Sequence, residues 1–128
     1  MGQQVQQGTA KSETGSKTEG TGLSYGGQGG QTAELDLTQF CCPWFIQTLL
    51  EKIDREWNKL GTSGITRIEF TIERDGSVTR PRYLQRSTMR QDVEALRAVQ
   101  QIRMPPLPAE FTERQLTIRM TFNYGGHQ

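Results

Sequence analysis

Few side chains in this 128-residue chain could do covalent chemistry. The one histidine, His127, sits next to the C-terminus, where nothing would hold it as a general base against a substrate. Cys41 and Cys42 are adjacent, and no Cys/His set at zinc-ligand spacing accompanies them. They read as two small apolar side chains leading into a helix, with a vicinal redox pair or metal site as the alternative. The Gly-rich stretch near the N-terminus follows no strand and precedes no Gly-Lys-Ser/Thr, so it is not a phosphate loop. Ser12, Ser16 and Ser24 lie in that polar stretch without a partnering base. Glu51/Arg55 and Glu69/Glu73 fall at helix and strand spacing and read as solvated faces. Enzyme readings therefore fail, and no metal or cofactor is expected.

Arginine is the one skewed residue type. Arg80, Arg82, Arg86, Arg90, Arg97 and Arg103 meet only Asp92 and Glu94, so that segment carries a net +4. Arg80, Arg82, Arg86 and Arg90 form a candidate basic face for an acidic partner, a lipid headgroup or nucleic acid. A solvated exterior is the reading we favour. The whole chain carries only +1, and no aromatic ladder interleaves the arginines, so a nucleic-acid partner is not expected.

The elements that must position these residues divide the chain in two. Nine of the 14 glycines fall within the first 34 residues, where only Met1, Val5, Leu23 and Tyr25 are large and apolar. Residues 1–34 therefore read as a disordered Gly/Gln/Ser/Thr-rich linker, unable to offset its ordering entropy, and as an interior piece of a longer chain. Residues 35–128 read as one small domain. No run of about 20 apolar residues or signal peptide is visible.

Within the body, Asp36 and Thr38 are candidate caps and Pro43 suits a first helical turn. Ile46, Leu49, Leu50, Ile53, Trp57 and Leu60 then form one stripe on a helix of about four turns, closed by Gly61-Thr62-Ser63-Gly64. Residues 66–73 alternate with period two and set Ile68, Phe70 and Ile72 on one face. Asp75-Gly76 supplies a tight turn. The returning strand, 78–85, contains Pro81 and so belongs at a sheet edge or carries a bulge. Ser87 or Thr88 caps a second helix with Val93, Leu96 and Val99 on a weaker stripe, Ala95 and Ala98 allowing close approach. Met104-Pro105-Pro106-Leu107-Pro108 stops it. Leu116, Ile118, Met120, Phe122 and Tyr124 then alternate with polar residues in a final strand. The fold class is α+β, a two-layer sandwich in the order α-β-β-α-β, with two helices on one face of a three-stranded antiparallel sheet.

These residues in this order resemble the C-terminal periplasmic domain shared by TonB-family energy transducers and TolA, from about Phe40 to Tyr124. The likeness rests on Pro43-Trp44-Phe45 with Ile53 and Trp57, on Phe70 through Val78, on Ser87 before Ala95-Leu96-Arg97-Ala98-Val99, and on Met104-Pro105-Pro106-Leu107-Pro108 before Leu116–Tyr124. The Tyr-Pro opening of many TonB domains is absent, and the long first helix ending in Trp57 is closer to TolA. The resemblance implies a non-catalytic periplasmic domain whose protein is anchored in the inner membrane by a preceding helix. Inner-membrane proton-channel partners would act through that N-terminal segment. The domain itself would grip a peptide of an outer-membrane receptor or periplasmic protein, and family partners commonly add a strand beside the final strand.

Physical reasoning reaches the same strand. A long final strand at a sheet edge presents unpaired N–H and C=O groups, a template for strand addition. The expected site is Gln115, Leu116, Thr117, Ile118, Arg119, Met120, Thr121, Phe122, Asn123 and Tyr124, with the backbone of Gln115, Thr117, Arg119, Thr121 and Asn123 as the ladder. The alternatives are that the tail, helix ends or a second copy protects this edge. A structural or assembly domain forming a homodimer through the strand is the competing function.

Overall fold

A computed structural model describes residues 22–27 and 29–125. His127 and residues 1–21 lie outside the described residues, and with them most of the expected linker.

The first helix, α1 (Pro43–Glu56), begins where Pro43 costs no hydrogen bond, and its apolar stripe buries Phe45, Ile46, Leu49, Leu50 and Ile53. Its N-cap is Cys42 rather than Asp36 or Thr38, with no side-chain cap. Cys41 and Cys42 are joined in a disulfide at the bend that leads into α1, not left as free thiols. The helix stops one turn before its stripe does: Trp57 is extended at the C-cap, and Leu60 takes a φ of 62° before Gly61.

The second helix, α2 (Met89–Gln101), has the expected start. The Thr88 hydroxyl accepts from the Gln91 amide at 3.1 Å, and the Gln91 side chain accepts from the Thr88 amide at 3.4 Å, closing a capping box. Its inward face is Gln91, Asp92, Ala95, Ala98 and Val99, whereas Val93, placed inward by spacing alone, is 58% exposed. The buried polar pair is satisfied. Asp92 accepts from the Thr66 hydroxyl at 2.9 Å and the Ser87 amide at 2.8 Å.

The sheet has five strands, not three: β1 (Leu23–Gly26), β2 (Gln31–Leu35), β3 (Ile65–Glu73), β4 (Val78–Gln85) and β5 (Gln115–Asn123), in the order β1-β2-β5-β3-β4. All neighbouring pairs are antiparallel. The helices pack on the sheet, and their apolar faces join Ile68, Phe70, Ile72, Leu116, Ile118, Met120 and Phe122 in one core. β4 is an edge strand, and its ladder with β3 is also interrupted twice, once where Arg80 is held at a φ of 52° next to Pro81, so both readings of Pro81 hold.

The two added strands come from the stretch that composition assigned to a linker, so the folded chain begins well before Leu35. Gln31, Ala33 and Leu35 are all buried while Thr32 and Glu34 are not, a period-two pattern that the surrounding glycines conceal. Gly30, with a φ of 98°, makes the turn between the strands, where a side chain would be strained. The Gln31 amide group also donates to the Leu50 carbonyl at 2.9 Å, tying β2 to α1.

Candidate partner-binding site

β5 is the strand on which a partner was expected to add, and it does not lie at the sheet edge. It runs between β3 and β2. The expectation failed because the hairpin β1–β2, drawn from the N-terminal tail, pairs along it. The protection is partial. β3 pairs with β5 over its whole length, from Ile65↔Asn123 to Glu73↔Gln115, whereas β2 pairs only with Arg119, Met120, Thr121 and Phe122. Gln115, Leu116, Thr117 and Ile118 thus have a strand neighbour on one side only.

Inward side chains root β5 in the core. Leu116, Ile118, Met120 and Phe122 are buried, and Trp57 meets Phe122 and Tyr124 edge-on at centroid distances of 5.2 and 5.0 Å. The Tyr124 hydroxyl donates to the Gln91 carbonyl at 2.7 Å, and burial raises its pKa above the ordinary phenol value.

The outward face carries the charges. Register aligns Glu34 of β2, Arg119 of β5, Glu69 of β3 and Arg82 of β4 in one row across four strands, with alternating sign. Such cross-strand neighbours of opposite charge favour the pairing. Arg82 donates to Glu69 at 2.8 Å, and Arg119 lies 3.8 Å from the same carboxylate. Arg119 also holds Asp36, the residue after β2, through both guanidinium nitrogens. That pairing lowers the Asp36 pKa below the usual aspartate value and raises that of Arg119. In the next row Arg67 donates to Thr121 at 3.2 Å and reaches Glu34 at 3.3 Å.

A surface hollow of about 530 Å³ opens between the chain leaving β2 and the chain approaching β5, lined by Leu37, Phe40, Cys41, Phe111 and Glu113 among others. Phe40 and Phe111 meet edge-on across it, 5.4 Å apart. Arg74 positions this approach by donating to the carbonyls of Phe111 and Glu113 at 2.6 Å and of Pro108 at 2.8 Å.

The structure divides the four candidate basic-face arginines. Arg80 and Arg82 lie on β4, with Arg82 paired to Glu69 and Arg80 3.5 Å from the Gln115 side chain. Arg86 covers the Tyr83 ring at 4.4 Å, and Arg90 is exposed on the first turn of α2. Among the described residues no three His, Cys, Asp or Glu side chains group as a metal site. None of the described helices is long and apolar enough to cross a membrane.

Comparison with protein families matches residues 55–125 to the Gram-negative bacterial TonB protein C-terminal family, more than half of the chain. The chain belongs to this family. TonB C-terminal domains are non-catalytic and periplasmic, they bind outer-membrane receptors, and their role is energy transduction. No curated protein and no solved structure matches the chain. The matched region begins near the end of α1 and runs through β5, so β1, β2 and most of α1 lie outside it.

Proposed function

We propose that this TonB domain couples proton-motive force, transduced by inner-membrane partners, to an outer-membrane receptor or another envelope protein, and that it holds that partner by adding a peptide strand to β5. The observation that carries the reading is the one-sided pairing of Gln115–Ile118, in a nine-residue strand that β2 and β3 flank together only from Arg119 to Phe122. An extended peptide laid there gains main-chain hydrogen bonds and meets the hollow beside Leu37, Phe40 and Phe111 with an alternate side chain. The contact at Gln115–Ile118 would be main-chain strand addition and not phosphate-type charge neutralisation, so added salt should change that contact little.

Backbone-amide NMR spectra at several protein concentrations, then with extended peptides from outer-membrane receptors and periplasmic proteins, test this. Shifts that include Gln115–Ile118 and the β3 residues facing them support it. Peptides that leave those amides unmoved refute it, and shifts driven by protein concentration alone would assign the strand to self-pairing.

A further inference from the structure

We infer that the β1–β2 hairpin is a resident strand pair which a partner peptide replaces on β5, and that the position opposite Arg119 and Arg67 is a carboxylate subsite for that peptide. The inference rests on the proposed strand addition and goes further, naming both the surface that is uncovered and the chemistry of its occupant.

Three observations carry it. First, the hairpin lies outside the residues matched to the family, while β5 and its other neighbour β3 lie within them. The hairpin is an addition to a sheet that is otherwise complete. Secondly, β2 engages β5 at only four residue pairs, and β1 touches the sheet through β2 alone. β1 is the edge strand and opens first, whereas release of β2 gives up the burial of Ala33 and Leu35 and the Gln31–Leu50 hydrogen bond, which an incoming strand must replace with side chains of its own. Thirdly, the hairpin neutralises two arginines of the matched domain. Arg67 and Arg119 point outward beside the β5 edge, and Glu34 and Asp36 supply their carboxylates. Removal of β2 breaks the row Glu34–Arg119–Glu69–Arg82 at its outer end and leaves three positions in which the two arginines flank one glutamate.

The occupant is therefore an extended acidic peptide. It places a carboxylate opposite Arg119, where Glu34 stands, and small or aliphatic side chains at the alternate positions of Ala33 and Leu35, which are fully buried. A bulky residue in place of Ala33, opposite Met120, would overfill the core.

The probe is a synthetic peptide with the sequence of residues 29–37, added at millimolar concentration to the full chain, because the tethered hairpin competes at a comparable effective concentration. A variant carrying Glu34→Gln and Asp36→Asn loosens the hairpin without touching a buried side chain. A second variant, Thr32→Cys with Thr121→Cys, staples β2 to β5, since directly opposed residues lie within disulfide reach. The loosened variant should bind the peptide at least threefold more tightly than the unmodified chain, with shifts along Arg119–Phe122. The stapled variant should not bind it there. A peptide with Gln and Asn in place of its Glu and Asp should bind the loosened variant three- to tenfold more weakly. Equal shifts in the stapled chain, equal binding of the neutral peptide, or no exchange in the loosened chain would each overturn the inference. Failure of receptor peptides to bind would instead refute the proposed function, with hairpin exchange still measured by this probe.

Discussion

Replacing Gly76 by alanine should destabilise the domain by about 2–4 kcal/mol, and replacing Gly61 by alanine should cost about 1 kcal/mol or less. Both glycines have positive φ, 94° and 67°, so a β-carbon is strained at either. Both replacements also reduce the entropy of the unfolded chain to the same extent, which cancels in the comparison. The surroundings differ. Gly61 has nothing within 4 Å of a built Cβ, whereas at Gly76 the Cβ would collide with the Met104 carbonyl oxygen and lie 2.7 Å from that of Pro105. These are backbone atoms and cannot rotate away. The segment that must move carries the buried side chains Met104 and Leu107, and the Leu107 amide donates to the Arg74 carbonyl of the same turn at 3.0 Å. The clash is thus transmitted into the core, adding a packing cost of about 1–3 kcal/mol to the backbone strain. For a domain near 100 residues, a loss of 2 kcal/mol lowers the melting temperature by roughly 8–16 °C. Urea denaturation of the two variants, followed by far-UV circular dichroism, measures the difference. Equal stabilities would show that the Asp75-Gly76 turn does not press on the Met104–Leu107 crossing, and the packing argument would be wrong.

Thr88→Ala removes the oxygen that caps α2 and should cost about 1 kcal/mol in the same denaturation assay, with Thr88→Ser restoring most of it. Asp36, Glu73, Asp75 and Glu94 all have folded pKa values below their ordinary values; for Asp36 and Glu94 the main cause is a hydrogen bond from Arg119 or Arg97, for Glu73 and Asp75 one from Thr79 or Ser77. A carboxylate depressed on folding contributes stability above its unfolded pKa and loses it as pH falls through the folded one, so stability should decline below about pH 4. Asp36→Asn should flatten part of that decline, and a pH series of melting temperatures on the two proteins would show it. Arg74→Ala leaves the Phe111 and Glu113 carbonyls without this donor and the Pro108 carbonyl with only the Phe111 amide, and should speed amide hydrogen exchange in residues 108–113, with β3 unchanged.

The sequence is most legible where periodicity is long and uninterrupted. Five apolar residues at alternate positions, Leu116 to Tyr124, admit only a half-buried strand, and all five are buried. Pro81 placed β4 at an edge for a reason that tertiary structure could not override, the missing N–H. Short elements were concealed. Four- and five-residue strands separated by glycines leave almost no periodic signal, and Gln31 entered the core through a hydrogen bond to Leu50 that no hydropathy pattern records. Val93 failed for the opposite reason. A residue of the right type on the edge of a stripe turned outward because Gln91 and Asp92 took the inward positions through specific polar partners. The edge position expected for β5 was lost for the same cause as the strand number: a strand cannot be known to lie at an edge until every segment able to pair with it has been found.

That error has a physical counterpart in the molecule. A bare edge as long as β5 would invite pairing between copies of the chain, and proteins suppress that hazard by covering or charging such edges. Here both devices are combined in one hairpin. β2 covers the half of β5 from Arg119 to Phe122, and Glu34 and Asp36 supply Arg67 and Arg119 with carboxylates beyond the one that Glu69 offers Arg119. The half left single-sided, Gln115–Ile118, follows directly on Phe111 and Glu113, which line the hollow where Phe40 and Phe111 meet. A partner strand on β5 would pull on the strand whose buried side chains run from Leu116 to Phe122 and whose end is clasped by Trp57. A partner on β1 would pull only on a four-residue strand held by its own hairpin mate. Under the proposed coupling the domain bears load and gains from directing its partner to the first of these, and the hairpin inferred to be replaceable covers part of that strand.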